Sequence, residues 1–562
     1  MSSPSRSTFP ISVLDYGAGN ILSLLNALTS LSYTNFKKIT TAAEIREAEC
    51  IIFPGVGAYS SAMESLESLE VVEALKEYVK ADRPYFGICL GMQTLFESSE
   101  EGEGIVQGLG IIKGTVDKFK TTTASVPSIG WNTTTDRKTG TSPVPSGSMK
   151  YFVHSYRALP TSSNLSWVCT TTDYGGETYI SSVENGNVFA CQFHPEKSGT
   201  VGLSIIRSYL DRIREPNSTS SPRITTIKSL PLVPTSSVET LCKRVVVALD
   251  VRSNDSGDLV VTKGDQYDVR ETKDHKEEGK AKVRNLGKPA ELARKYAEGG
   301  ADEISFLNIT SFRSNVISDL PLVDLLKFCS ERIFVPLTVG GGIRDILEDG
   351  NVYKAVEVAD RYFRAGADKV SIGSDSVTAS LKLIEKGYVK DGESSIEQIS
   401  ARYGVQAVVV SIDPKRVYVD EEGKVEAEKA GYTVRDVVDV EGERRMCWWQ
   451  ATVKGGRETR DIDAVKVAEC VEQLGAGEIM LNCIDMDGQG NGYDLELMKA
   501  VTEAVGIPVI ASSGAGGGEH FVEVFRETNV SAALAAGIFH RGEVKIDEVK
   551  DAMLAAGVVT RK

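Results

Sequence analysis

Val245-Val-Val-Ala-Leu-Asp250 recurs as Val408-Val-Val-Ser-Ile-Asp413. Each is an apolar run of strand length closed by an aspartate. Two further pairs keep the same order. Ala301-Asp-Glu-Ile304 returns as Ala476-Gly-Glu-Ile479, and Pro336-Leu-Thr-Val-Gly-Gly-Gly342 returns as Pro508-Val-Ile-Ala-Ser-Ser-Gly514. The offsets are roughly 160–175 residues, far longer than any solenoid repeat. Each copy offers about four strand–helix units, so the two together predict an eight-stranded (β/α)8 barrel over residues 241–562. Insertions enlarge it, notably at 253–285 and 386–395.

A duplicated half-barrel duplicates its site. Asp250 ends a hydrophobic strand in the first half and Asp413 does so in the second. Glycine turns follow the later strands of each: Gly340-Gly-Gly342 and Ile372-Gly-Ser-Asp375, then Ser512-Ser-Gly-Ala-Gly516 and Ala535-Ala-Gly537. Such loops at the carboxyl-terminal face feed helix N-termini and suit phosphate. Two symmetric pairs suggest a substrate with a phosphate at each end, and two carboxylates between them suit general acid/base work. The plainer reading makes both aspartates caps or turn formers.

Side chains alternate along a strand, so an inward Asp250 brings 248, 246 and Arg244 inward as well. Arg244 is then a charge at the opposite end of the barrel. Glu303, Lys369 and Glu478 occupy comparable strand starts. Two positive and two negative groups can pair there as a ring, offsetting the cost of burying charge.

Upstream of the barrel, Phe86-Gly-Ile-Cys89-Leu-Gly-Met-Gln93 places a cysteine between two glycines. A short buried strand precedes it, and Leu90, Met92 and Leu95 predict the start of a helix. Cys89 then sits on a nucleophile elbow, where a helix N-terminus favours the thiolate. The alternative is an ordinary buried cysteine. Before it, a strand through Ile11-Ser-Val-Leu14, a helix over 21–31 and the loop Pro54-Gly-Val-Gly57 alternate in the manner of an α/β layered domain. The backbone N–H groups of Val56 and Gly57 are candidates for an oxyanion hole, with a plain tight turn as the alternative.

The second part of this domain, to about residue 212, is richer in strand: 149–156, 167–172, 179–184 and 188–193. The last runs into His194-Pro-Glu196. A histidine at a strand end, with a carboxylate two residues on, can take the Cys89 proton while Glu196 orients the imidazole. His154 is the rival base, better suited to packing. Residues 213–240 are dominated by Pro, Ser and Thr and read as a linker.

Composition narrows the classes. The chain has 562 residues, 41% of them hydrophobic, and a formal net charge of −15. That balance suits a globular protein and argues against a general nucleic-acid or membrane-surface role. Nine scattered cysteines without a C-x-x-C pair fit a reducing compartment and no zinc site. No membrane-length run is present, and the cytoplasm is the expected location.

The order Pro-Gly-Val-Gly, Cys89, His194-x-Glu196 over residues 10–212 resembles the class I glutamine amidotransferase domain. Lys243-Arg-Val-Val-Val-Ala-Leu-Asp-Val251, Val261-Thr-Lys-Gly264, Ala301-Asp-Glu-Ile-Ser-Phe-Leu-Asn-Ile-Thr310, Ala367-Asp-Lys-Val370, Ser411-Ile-Asp413 and Gly475-Ala-Gly-Glu-Ile479 with Ile484-Asp-Met-Asp-Gly488 resemble the cyclase of imidazole glycerol phosphate synthases. Joined, they resemble the fused form of that histidine-biosynthesis family. The resemblance implies a cysteine glutaminase whose ammonia reacts in the barrel with a bis-phosphorylated ribonucleotide. It implies Gln93 beside Val56 and Gly57 as glutamine contacts. Lys263, Gly341, Gly342, Ser374, Asp487, Gly488, Ser512, Gly514, Ala536 and Gly537 become substrate or phosphate contacts, and Arg244, Glu303, Lys369 and Glu478 an ammonia gate. No cofactor or metal is implied, and the expected assembly is a monomer whose two domains dock internally. Asn308 and Gly373 depart from the family's common Asp and Asn. The sibling barrel isomerase of the same pathway needs no ammonia, so a glutaminase on the same chain speaks against it. An inactive amidotransferase serving as a scaffold is disfavoured by the intact Cys89, His194 and Glu196.

Overall fold

β-branched residues fill the repeated runs, and these become the inner wall of a closed sheet. In the computed structural model, residues 5–17, 19–139, 143–215, 226–227, 241–253, 259–263, 284–285, 288–309, 322–439 and 441–562 are described. They fall into two compact units. One is Met1–Cys242 with the pieces Ser330–Phe334 and Ala401–Gln406; the other is Lys243–Cys329, Val335–Ser400 and Ala407–Lys562.

The first unit is built on an eight-stranded sheet. Its strands are β1 (Ile11–Leu14), β2 (Phe36–Ile39), β3 (Ile51–Phe53), β4 (Tyr85–Ile88), β5 (Thr135–Asp136), β6 (Val168–Tyr174), β7 (Glu177–Asn185) and β8 (Val188–Cys191). The order is β2-β1-β3-β4-β8-β7-β6-β5. Strands β2 to β8 of that order run parallel, and β7, β6 and β5 extend the sheet antiparallel. Buried residues on both faces, such as Leu14, Phe53 and Tyr85 on one and Val13, Ile52 and Phe86 on the other, explain why these strands read as continuous apolar runs. The carboxyl ends of the adjacent strands β4 and β8 deliver Cys89 and His194 side by side.

Two local expectations are met only in part: the helix starts at Leu90 as read but stops before Leu95, and one expected strand is split. The helix after Cys89 is a single turn, Leu90–Gln93, and the chain re-enters a strand at Phe96–Ser99. Leu95 and Phe96 are fully buried, so packing overrides helix continuation. The strand expected over 149–156 is two strands in separate sheets, Lys150–His154 and Tyr156–Ala158, broken at Ser155.

In the second unit, β9 (Arg244–Ser253), β10 (Glu303–Asn308), β11 (Leu337–Gly340), β12 (Lys369–Ile372), β13 (Val408–Ile412), β14 (Glu478–Asn482), β15 (Val509–Ser512) and β16 (Ala532–Ala535) follow one another. All pair in parallel, and β16 returns to β9 with Arg244 opposite Ala532, closing an eight-stranded barrel. Each repeated sequence pair falls four strands apart: β9 with β13, β10 with β14, β11 with β15. Val246, Ala248, Val409, Met480, Ile510, Ala532 and Leu534 pack together in the interior, as the alternation from Asp250 requires.

Asp250 does not end its strand. β9 runs on to Ser253, and Val251–Ser253 pairs antiparallel with Leu259–Lys263. The insertion at 386–395 leads into an added helix, Ser395–Tyr403. A larger addition follows Asp413: strands Pro414–Val419, Arg435–Val438, Arg444–Val453 and Glu458–Asp463 form an antiparallel sheet with the helix Glu421–Lys429. The helix Gly199–Arg214 runs two residues into the expected linker; most of the 253–285 insertion, the linker from 216 to 240 apart from Thr226–Ile227, and the Lys263 side chain lie outside the described residues.

Candidate active sites

Cys89 has φ 48° and ψ −101°, a conformation L-residues seldom adopt. Three close approaches hold it there. A methyl group on Gly55 would collide with the Ile88 carbonyl, on Gly87 with the Gly91 carbonyl, and on Gly91 with the Phe53 carbonyl. The Cys89 N–H also donates to the Cys191 carbonyl at 2.6 Å.

The His194 side chain hydrogen-bonds Cys89, and its Nδ1 lies 2.7 Å from Glu196 Oε1. All three side chains are buried. Burial opposes the imidazolium, but Glu196 and Cys89 more than offset it and raise the His194 pKa well above 6.5. The backbone of His194 is pinned too: its N–H donates to the Tyr151 carbonyl at 2.9 Å, and its carbonyl accepts the Ser198 hydroxyl at 2.6 Å. His154 packs among Phe119, Phe152 and Tyr179, with its pKa lowered to about 3 by burial. It is a core histidine.

The sequence reading missed Gln192. Its Nε2 donates to Cys89 Sγ at 3.4 Å, and its Oε1 accepts Gln93 Nε2 at 3.1 Å. Gln93 also donates to the Tyr156 carbonyl at 3.0 Å. Gln192 lies two residues before His194, so strand alternation was the available clue. Gly57 has φ 137°, and the Tyr16 hydroxyl donates to the Val56 carbonyl at 2.7 Å. Glu101 accepts the Tyr59 N–H at 3.1 Å at the start of the helix after this loop; burial raises its pKa to about 7.

In the barrel, Asp413 Oδ1 accepts Asn482 Nδ2 at 2.7 Å and the Ser411 hydroxyl at 3.1 Å. Burial raises its pKa despite both bonds, with Asp487 contributing in the same direction. Asp250 lies in β9 beside Leu307 of β10, and is half-buried like Asp413. Glycine loops surround them. Gly341 and Gly342 have φ 98° and 77°, Gly488 has 74°, and Gly514 has 102°. A methyl group on Gly514 would strike the Gly492 carbonyl. Ser512 is buried at the end of β15, Ala536 and Gly537 follow β16, and Ser374 Oγ accepts the Lys454 N–H at 2.7 Å. Asp487 is exposed. Asn308 is buried at the end of β10, and a methyl group on Gly373 would meet open space.

At the amino-terminal ends of the strands, Arg244 donates to Glu303 at 2.8 Å and to Glu478. Lys369 donates to the same two carboxylates, at 2.8 and 2.5 Å. Thr338 adds a bond to Glu303 at 2.6 Å. The four charged side chains are 0–1% exposed. Burial disfavours the Glu478 carboxylate, but Arg244 and Lys369 outweigh that and keep its pKa below 4.5.

Among the described residues no helix is long and apolar enough to cross a membrane. Comparison with known proteins matches both units. Residues 12–211 fit the family described as glutamine amidotransferase class-I, and residues 244–545 the family described as histidine biosynthesis protein. The chloroplastic imidazole glycerol phosphate synthase hisHF of Arabidopsis thaliana is 52% identical over 97% of this chain and 88% of its own. The hisHF proteins of Emericella nidulans and Schizosaccharomyces pombe are each 46% identical over 98% of this chain and 99% of their own.

Proposed function

The chain belongs to the fused imidazole glycerol phosphate synthase family, and we propose how its two constellations divide that work. The enzyme hydrolyses glutamine and uses the ammonia on a phosphoribulosyl-formimino aminoimidazole carboxamide ribonucleotide. The products are imidazole glycerol phosphate, aminoimidazole carboxamide ribonucleotide and glutamate.

Cys89 Sγ attacks the glutamine side-chain carbonyl as His194 takes the thiol proton. Val56 and Gly57 N–H groups receive the oxyanion. His194 returns the proton to the departing ammonia, leaving a glutamyl thioester, and then activates the water that cleaves it. Glu196 holds the imidazole throughout, and Gln93 helps seat glutamine. In the barrel, Asp250 and Asp413 move protons as ammonia adds, the imidazole ring closes and the C–N bond breaks. The glycine loops at 341–342, 512–514 and 536–537, with Ser374, hold the two phosphates; Lys263, Asp487 and Gly488 are assigned to the same substrate. Arg244, Glu303, Lys369 and Glu478 gate ammonia at the far end of the barrel.

One observation carries this reading: the His194 imidazole bridges Cys89 and Glu196 at a turn held by close approaches of neighbouring backbone. Incubation with glutamine and the ribonucleotide, following both products, tests it. One glutamate per imidazole glycerol phosphate is expected; glutamate without imidazole glycerol phosphate refutes it. We further read the enzyme as a cytoplasmic monomer, to be checked by cell fractionation and sedimentation. Nine scattered cysteines without a C-x-x-C pair support a reducing compartment, although the Arabidopsis relative is named chloroplastic.

A further inference from the structure

The antiparallel sheet after Asp413 touches three of the loops around that aspartate through one strand, Arg444–Val453, and the residue after it. Trp449 Nε1 donates to Asp494 Oδ2 at 3.0 Å. The Thr452 hydroxyl donates to the Asp413 carbonyl. The Lys454 N–H donates to Ser374 Oγ at 2.7 Å. Lys454 has φ 56°, an unusual value for a residue with a side chain. These partners belong to the connections after β12, β13 and β14.

Asp494 is where the contacts converge. Its Oδ2 also accepts Arg416 Nε at 2.8 Å, from the strand Pro414–Val419, and Cys483 Sγ at 3.2 Å. Its Oδ1 accepts the Leu497 N–H at 3.3 Å, starting the next helix. The Arg416 N–H donates to Asp485 at 2.7 Å. Asp494 and Arg416 side chains are 1% and 4% exposed. Burial raises the Cys483 pKa well above 9, so that group remains a proton donor.

The segment from Cys483 to Asp494 is thereby fixed at both ends. Between them lie Asp487 and Gly488. Beyond these, Gly490 and Gly492 press on the next loop, where a methyl group on Gly516 or Gly514 would strike their carbonyls. The Gly492 N–H donates to the Gly514 carbonyl at 2.9 Å. A shift of this segment would move the Ser512–Gly516 turn as well.

We propose that the inserted sheet is a bracket that sets the substrate-binding geometry of the barrel's second half, with Asp494 as its positioning residue. This rests on the assignment of Asp487, Gly488, Ser512 and Gly514 to substrate. Asp494 touches no reacting atom. It acts by keeping the loops in register, so its loss changes ribonucleotide binding more than chemistry.

The test uses the full chain with ammonium salts as nitrogen source, and compares Asp494→Asn, Trp449→Phe and Asp413→Asn with wild type. Asp494→Asn removes the charge at constant size; Trp449→Phe removes one donor. We expect KM for the ribonucleotide to rise about tenfold in Asp494→Asn and about threefold in Trp449→Phe, with kcat within about threefold. The fluorescence that Trp449 contributes, taken as wild type minus Trp449→Phe, should change in Asp494→Asn. Unchanged KM in Trp449→Phe, together with unchanged KM in any Asp494→Asn that folds, overturns the bracket. Asp413→Asn separates the two questions: its kcat should fall, and full activity there would remove the acid/base assignment while leaving the KM comparison intact.

Discussion

The turn that carries Cys89 is held by close approaches of backbone, whereas Asp413 is held by side chains. Gly55, Gly87 and Gly91 leave no room for a methyl group beside the thiol's turn. Asp413 is held by Asn482 and Ser411, and its carbonyl by Thr452. A turn packed against carbonyls has no room for even one added methyl group. A site held by separate hydrogen bonds loses function in steps.

Cys89→Ala is the largest expected effect. Glutamine-dependent synthesis should fall by about 10⁴-fold or more, while synthesis from ammonium salts continues. Loss of both in a folded protein would join the two sites into one and end the comparison. Asp413→Asn should cost about 10²-fold or more with either nitrogen source, because the barrel step is shared. A defect confined to glutamine would reverse the assignment.

Gly91→Ala and Ser411→Ala address the contrast in materials. One added methyl group should lower glutamine hydrolysis about 10²-fold through misplacement of Cys89, whereas loss of the Ser411 hydroxyl should cost only about threefold to tenfold in the ammonia-dependent reaction. Equal effects would mean that both sites are built alike. Lys369→Ala leaves Glu303 and Glu478 short of a counter-charge and should destabilise the barrel by about 3–5 kcal/mol. In protein that still folds, glutamate formation should outrun imidazole glycerol phosphate severalfold. A preserved one-to-one ratio leaves the ring purely structural.

The smallest effect is a pH dependence. The His194 pKa is higher in the folded chain than its ordinary 6.5. The associated stability is therefore fully present below about 6.5 and is lost as pH rises through the raised value. Glu196→Gln removes the strongest raising influence. The difference in Tm between wild type and Glu196→Gln should narrow from about pH 6.5 upward, by a few degrees at most; a widening gap would place the proton elsewhere.

These sites were unequally legible. Arg244 could be placed inside the barrel from Asp250 alone, because a strand's alternation fixes every second residue. The repeat located Glu303 and Glu478 four strands apart for the same reason. Asp494 left no such trace: its partners Arg416 and Trp449 are 78 and 45 residues away in sequence. The inserted sheet was missed although Arg444–Val453 is rich in strand formers, since its pattern carries no repeat to compare. The break at Ser155 depends on which sheet each half joins, a decision made by distant strands.

Arg244 and Asp250 are six residues apart on one strand, roughly 20 Å at about 3.3 Å per residue. A small neutral molecule diffuses that far much faster than a typical enzyme turns over, at about 10 events per second. For ammonia entering at the charged ring, transit time therefore contributes nothing measurable to the cycle. On the gate role proposed for the ring, yield would be decided by leakage, by how often the ring lets a molecule back out before the ribonucleotide captures it. The tightness of four side chains, rather than the length of the barrel, would then set how much glutamine is wasted.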